Sequence, residues 1–146
     1  MTGKKWIKKG WFDIGIKDNQ DIALTHITKP RTIVICINLS EEHFKLISGS
    51  KSYNLNQIIA WFYSERIETN FPKITKEESQ KIKTSPLINQ YKKQKKPKTI
   101  TVKIHLILLA LLDCDCAKRK EKNKYSKYTR NGLISYILSA WKIAKS

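Results

Sequence analysis

The chain has 146 residues, 29 of them lysine or arginine against 12 aspartate or glutamate, for a formal net charge of +17. A hydrophobic fraction of 40% supports a real core and excludes global disorder. So large a cationic excess repels itself in the compact state and is most simply explained by a polyanionic partner. A basic, solvated surface with no partner is the competing reading, but the acidic residues that would balance such a surface are too few.

The longest apolar run, Ile104 to Leu112, contains His105 and falls well short of the ~20 residues a spanning helix needs, so no membrane segment is expected. The N-terminal lysines are followed by Gly10-Trp11-Phe12-Asp13, which breaks any signal-peptide stretch. Cys36, Cys114 and Cys116 are too few and too badly spaced for a disulfide framework, which points to a reducing cytoplasm.

Residues 1–29 read as a basic and aromatic arm, with Lys4-Lys5-Trp6 and Lys8-Lys9-Gly10-Trp11-Phe12 interleaving charge and rings. Such an arm suits phosphates, self-association, a partner protein, or cover for a flank of the core. Pro30 breaks the chain before a first unit at 30–69. Its strand, Thr32 to Leu39, alternates Val34, Cys36 and Asn38 on one face with Ile33, Ile35 and Ile37 on the other. Ser40 followed by Glu41 and Glu42 is an N-cap with acids at the positive end of the helix dipole. Phe44 and Ile47 supply that helix's apolar stripe, and Gly49 ends it. Asn54 is the candidate cap of a second helix, whose buried face is Ile58, Ile59 and Phe62, with Tyr63 a further candidate, and whose end falls near Glu68.

Residues 70–97 have the composition of a basic linker, punctuated by Pro72, Pro86 and Pro97. Thr75-Lys76-Glu77-Glu78 can open a short helix there, and the charge run Tyr91-Lys92-Lys93-Gln94-Lys95-Lys96 leads into the next strand. A second unit occupies 98–146. Its strand sets Ile100, Val102 and Ile104 against Thr99, Thr101 and Lys103, and Leu106 to Leu112 follow as a helix apolar nearly all round. A basic stretch from Lys118 to Lys124 separates it from a last helix capped by Thr129, with Leu133, Ile134, Ile137, Leu138 and Trp141 on its apolar face. Trp61 and Trp141 fall late in the second helix of each unit, where paired core or interface aromatics are expected.

Strand, helix, helix therefore occurs twice. Asn54-Leu55-Asn56-Gln57-Ile58-Ile59 and Thr129-Arg130-Asn131-Gly132-Leu133-Ile134 both show a small cap, a small polar residue two places on, then two aliphatics. In this the chain resembles the ribbon-helix-helix family of DNA-binding proteins, in two degenerate tandem copies. The resemblance implies a mainly α fold with a short two-stranded antiparallel β-ribbon, the two units forming a pseudo-dimer within one chain. One strand and two helices cannot bury their own apolar face or pair their own backbone, which independently favours such a pairing.

By the resemblance, base-reading residues would be Thr99, Thr101 and Lys103 from the second strand, and Val34, Cys36 and Asn38 from the first, with Thr32 at the edge. Lysine can donate to guanine and asparagine can pair with adenine. Val34 and Cys36 depart from the pattern, since neither reads hydrogen bonds, although a thymine methyl remains available to them. Phosphates would be held at the second-helix N-termini by Asn54, Asn56, Thr129, Arg130 and Asn131, and by Lys92, Lys93, Lys95 and Lys96 of the linker.

Asp113-Cys114-Asp115-Cys116 invites a metal reading, but one intervening residue points the two sulfurs to different helix faces, so small residues packed at a helix end are the better account. His26, His43 and His105 are scattered, and His105, following the strand, is expected to face solvent or phosphate. No nucleophile motif, carboxylate pair, phosphate loop or dinucleotide fingerprint is present. The expectation is a cofactor-free, non-enzymatic DNA-binding protein: a transcriptional regulator or a plasmid transfer or partition accessory factor acting on double-stranded DNA. Two other readings stand beside it. One is a non-catalytic, RNA-holding subunit of a ribonucleoprotein such as a CRISPR effector. The other is an antitoxin-like module that binds a protein.

Overall fold

Two eight-residue segments rich in β-branched residues, β2 (Thr32–Leu39) and β4 (Lys98–His105), pair antiparallel at the centre of the molecule. The computed structural model describes residues 14–16, 32–85, 97–122 and 129–146. Val34 lies opposite Lys103, Cys36 opposite Thr101 and Asn38 opposite Thr99. The period of two then puts Ile35, Ile37 and Leu39 on the same face as Ile100, Val102 and Ile104, and all six are buried. Ile33 shares their phase but sits at the ribbon's end and is 39% exposed.

Helices cover that apolar face. After β2 come α1 (Glu41–Ile47) and α2 (Lys51–Phe62); after β4 come α4 (Leu106–Lys122) and α5 (Arg130–Ala144). Ser40 caps α1 by accepting the His43 N–H, and Gly49, with φ of +99°, makes the turn into α2 in a conformation that disfavours a side chain. Leu108, Leu111 and Leu112 of α4 are fully enclosed, as the all-round apolar run requires. The architecture is thus mainly α with a two-stranded antiparallel ribbon.

Several boundaries differ from the sequence reading. The helix expected to reach Glu68 stops at Phe62, and the chain turns into β3 (Ile67–Thr69). β3 pairs antiparallel with β1 (Ile14–Ile16), so part of the segment read as an arm is built into the core, with Ile14 buried. Trp6, Trp11 and Phe12 lie outside the described residues. The short helix expected after Thr75 is present in the linker as α3 (Lys76–Thr84). Its Ile82 packs with Trp61, Ala140 and Ala144 in a second apolar cluster, over which Trp61 and Trp141 meet edge to face at 5.1 Å. The two tryptophans do form a core pair, and the linker supplies its lid. Among the described residues, no helix is long and apolar enough to cross a membrane.

Glu78 fastens that lid. Its carboxylate accepts the Thr75 N–H at 3.0 Å and the Trp61 indole N–H at 3.2 Å, and pairs with Lys145 at 2.7 Å, while the Thr75 hydroxyl accepts the Glu78 N–H in return. Burial alone would raise the carboxyl's pKa. The hydrogen bonds from Lys145, Thr75 and Trp61 outweigh it and bring the group from 4.5 to about 2. A depressed folded-state pKa contributes stability that is complete above the unfolded value and is lost as pH falls through the folded one. Urea unfolding should therefore show stability declining between pH 4.5 and about 2, with a shallower decline in Glu78→Gln. Identical slopes for the two proteins would contradict this assignment.

Candidate nucleic-acid interface

The face of the ribbon turned away from the core carries Val34, Cys36 and Asn38 from β2 and Thr99, Thr101 and Lys103 from β4, and all six are exposed. Val34, an apolar residue, is 57% exposed. Two cross-strand contacts order this face. The Thr99 hydroxyl donates to Asn38 Oδ1 at 2.5 Å, and Cys36 Sγ lies 3.8 Å from Thr101 Oγ1. The first leaves the Asn38 amide NH₂ available as a donor, and among the described residues the Lys103 ammonium forms no ion pair.

Each second helix begins against the ribbon's open edge. Asn131, the second residue of α5, accepts the Asn38 backbone N–H on its Oδ1 at 2.8 Å. Ser52, the second residue of α2, accepts the Lys103 backbone N–H on its Oγ at 3.0 Å. The two contacts are counterparts, which equates Ser50, Lys51 and Ser52 with Thr129, Arg130 and Asn131. Burial agrees: Leu55, Ile58, Ile59 and Trp61 are enclosed in α2 where Ile134, Ile137, Leu138 and Ala140 are enclosed in α5.

The alignment of Asn54 with Thr129 is therefore corrected by four residues. A shift of about one turn keeps the same apolar stripe, so the aliphatic pattern alone does not fix where the helix starts. Gly49-Ser50, a left-handed turn residue followed by a small polar one, is the sequence signal that does. Asn54 is not the cap of α2. Its Nδ2 donates to the carbonyls of Ile47 and Ser48, closing the end of α1.

Asn56 is also corrected, because it is completely buried. Its Oδ1 accepts the His105 N–H at 2.8 Å, and its Nδ2 donates to the carbonyls of Lys103 at 2.8 Å and Ser52 at 2.6 Å. With the amide enclosed and bonded in this way, Asn56 cannot meet a phosphate. His105, expected at the surface, is likewise fully buried, with its Nδ1 accepting the Ile107 N–H.

Thr129 caps α5 as expected, accepting the Gly132 N–H at 3.0 Å. Arg130 makes a two-pronged pair with Asp113, at 2.9 and 3.0 Å, and the hydrogen bonds it donates to that carboxylate raise the guanidinium's pKa above its ordinary range. Lys51, its counterpart, lies 5.3 Å from the centre of the Phe44 ring, and Lys98 approaches the same ring at 4.7 Å. Lys51, Ser52 and Lys98 were not singled out in the sequence. Lys92, Lys93, Lys95 and Lys96 lie outside the described residues.

The Asp113–Cys116 tetrad falls in the middle of α4, and its members face different neighbours. Asp113 holds Arg130. Asp115 accepts from the Tyr63 hydroxyl at 2.7 Å and pairs with Arg119, and Cys116 is buried in the core. Among the described residues, no group of three or more acidic, histidine or cysteine side chains is arranged to hold a metal ion. No protein-family model, curated protein or solved structure matches the chain.

Asn56→Ala should cost about 2–4 kcal/mol in urea unfolding, since it strips partners from the buried His105 N–H and from the Lys103 carbonyl. Thr101→Ala and Lys103→Ala, both exposed, should stay within about 0.5 kcal/mol. Equal costs for the buried and exposed changes would refute the division of roles.

Proposed function

We propose that this chain is a non-enzymatic, cytoplasmic DNA-binding protein in which two ribbon-helix-helix units form an internal pseudo-dimer. It acts as a transcriptional regulator or as a plasmid transfer or partition accessory factor. The observation that carries this reading is the two-sidedness of the β2–β4 ribbon: one face is apolar and buried, and the other is exposed with hydrogen-bond donors. Two strands lie ~4.8 Å apart, so with outward side chains a ribbon fits a major groove ~12 Å wide.

The N-terminal turns of α2 and α5 flank the ribbon, one against each open edge. Each has a cation as its first helical residue, Lys51 in one and Arg130 in the other. Free backbone N–H groups at those turns complement phosphate, and Ser50, Lys51 and Ser52 join Thr129, Arg130 and Asn131 as the phosphate-facing set. Thr99, Thr101, Lys103, Asn38, Cys36 and Val34 are the residues that meet base edges. The net charge of +17 supplies the long-range attraction.

Fluorescence-anisotropy titrations of duplex DNA, single-stranded DNA and duplex RNA at 50 to 200 mM salt test this. With about six to ten phosphate contacts, duplex-DNA affinity should fall by on the order of 10³ to 10⁵ over that range. Lys51→Ala should reduce the slope of log K against log salt by about one. Preference for RNA would favour a ribonucleoprotein subunit instead, and an affinity indifferent to salt would remove the nucleic-acid reading altogether.

A further inference from the structure

We infer that the outward face of the ribbon reads a non-palindromic duplex in one fixed orientation, with guanine beneath Lys103 and adenine beneath the Asn38–Thr99 pair. The inference rests on the duplex-DNA reading and adds to it the base identities and their polarity. It comes from the register. Cys36 faces Thr101 at the centre of the outward face, with Val34–Lys103 on one side and Asn38–Thr99 on the other. A two-fold axis through the central pair exchanges Val34 with Thr99 and Asn38 with Lys103. The backbone contacts obey that exchange, because Ser52 grips Lys103 as Asn131 grips Asn38. The side chains break it.

At the Val34–Lys103 end, an ammonium that only donates stands beside an exposed pair of methyl groups. Guanine presents two acceptors, O6 and N7, to the major groove, and thymine presents a methyl. At the other end the Thr99 hydroxyl donates to Asn38 Oδ1, which fixes the orientation of both groups. The Asn38 NH₂ is left to donate and the Thr99 oxygen to accept, side by side. Adenine matches that pair with its N7 acceptor and its N6 amino donor. The central Cys36–Thr101 pair contributes one weak thiol and one hydroxyl and discriminates little. A symmetric site would satisfy only one end of this face at a time.

Selection of bound sequences from a random duplex pool by the full chain tests the proposal. The enriched motif should be non-palindromic, with guanine and adenine on opposite sides of its centre. Lys103→Ala should erase the guanine preference alone and Asn38→Ala the adenine preference alone, each by roughly 5- to 100-fold against the other bases. Both side chains are exposed, and thermal melts of each variant verify that the fold is retained.

Val34→Thr, Cys36→Thr and Asn38→Lys together make the two strands' outward faces identical. That triple variant should select a palindrome with guanine in both halves. A palindromic motif from the unaltered chain, or an unchanged motif from the triple variant, overturns the asymmetric readout while leaving DNA binding intact. A duplex pool that yields no enrichment overturns base readout by the ribbon, whereas the DNA-binding reading beneath it falls only if the salt titration also shows no duplex affinity.

Discussion

A strand in a sheet of only two members has one paired edge and one bare edge, and the bare backbone groups must find partners or remain exposed to water. Everything in this molecule is arranged around that requirement. Ser52 and Asn56 close the outer edge of β4, and Asn131 meets the outer edge of β2. These contacts fix where α2 and α5 begin and how deeply each enters beneath the ribbon. Asn56 is the extreme case, a polar side chain enclosed among aliphatics because it behaves as a short piece of a third strand. Its carbonyl and amide meet the N–H and C=O that another strand would have met.

The consequence for the surface is that the ribbon's outward face is free of structural duties. Its inner residues hold the core, its edges are held by helices, and its outer side chains bond mostly to each other. The acids are distributed in a related way. In the ion pairs among the described residues, Glu42 meets Lys142, Glu78 meets Lys145, Asp113 meets Arg130 and Asp115 meets Arg119. Three of the four join segments distant in the sequence, and none neutralises a residue of the ribbon. The exposed pairs, Glu42 with Lys142 and Asp113 with Arg130, contribute little individually to stability. The larger effect of all four pairs is on the field, since these four acids are matched locally and leave the excess positive charge to the rest of the surface.

Period-two alternation made both strands legible, together with the faces they present, because the same residues that favour extended backbone also mark the buried side. The cap at Ser40, the all-apolar run of α4 and the cap at Thr129 were legible for similar reasons. Helix starts were less so where the apolar stripe was the main clue. Asn54 and Ser50 lie one turn apart on the same face, and what distinguishes them is the left-handed Gly49 ahead of Ser50 together with the contact between Ser52 and β4. Asn56 was misread because its amide is buried only by virtue of distant partners, the backbone groups of Lys103 and His105, and His105 because its ring turns inward and accepts the Ile107 N–H instead of facing solvent. The short pairing of Ile14–Ile16 with Ile67–Thr69 has no local signature, since three residues are too few to show a period. Of the candidate interface, the ribbon's six outward residues were legible, while the helix turn at Lys51 was not.

The position of Cys36 against Thr101 also governs how the chain reaches this state. The two residues meet across a sequence separation of 65, so the ribbon cannot zip up from a local hairpin. Until the segment ending at His105 has been made, β2 has no strand to pair with, and Ile35, Ile37 and Leu39 lack the opposing half of their core. Closing a loop of that size carries an entropic barrier that local helix formation does not relieve, and contacts so distant in sequence slow folding. Yet both strands belong to one chain, so the closure is a first-order event whose rate does not depend on how many copies of the protein surround it.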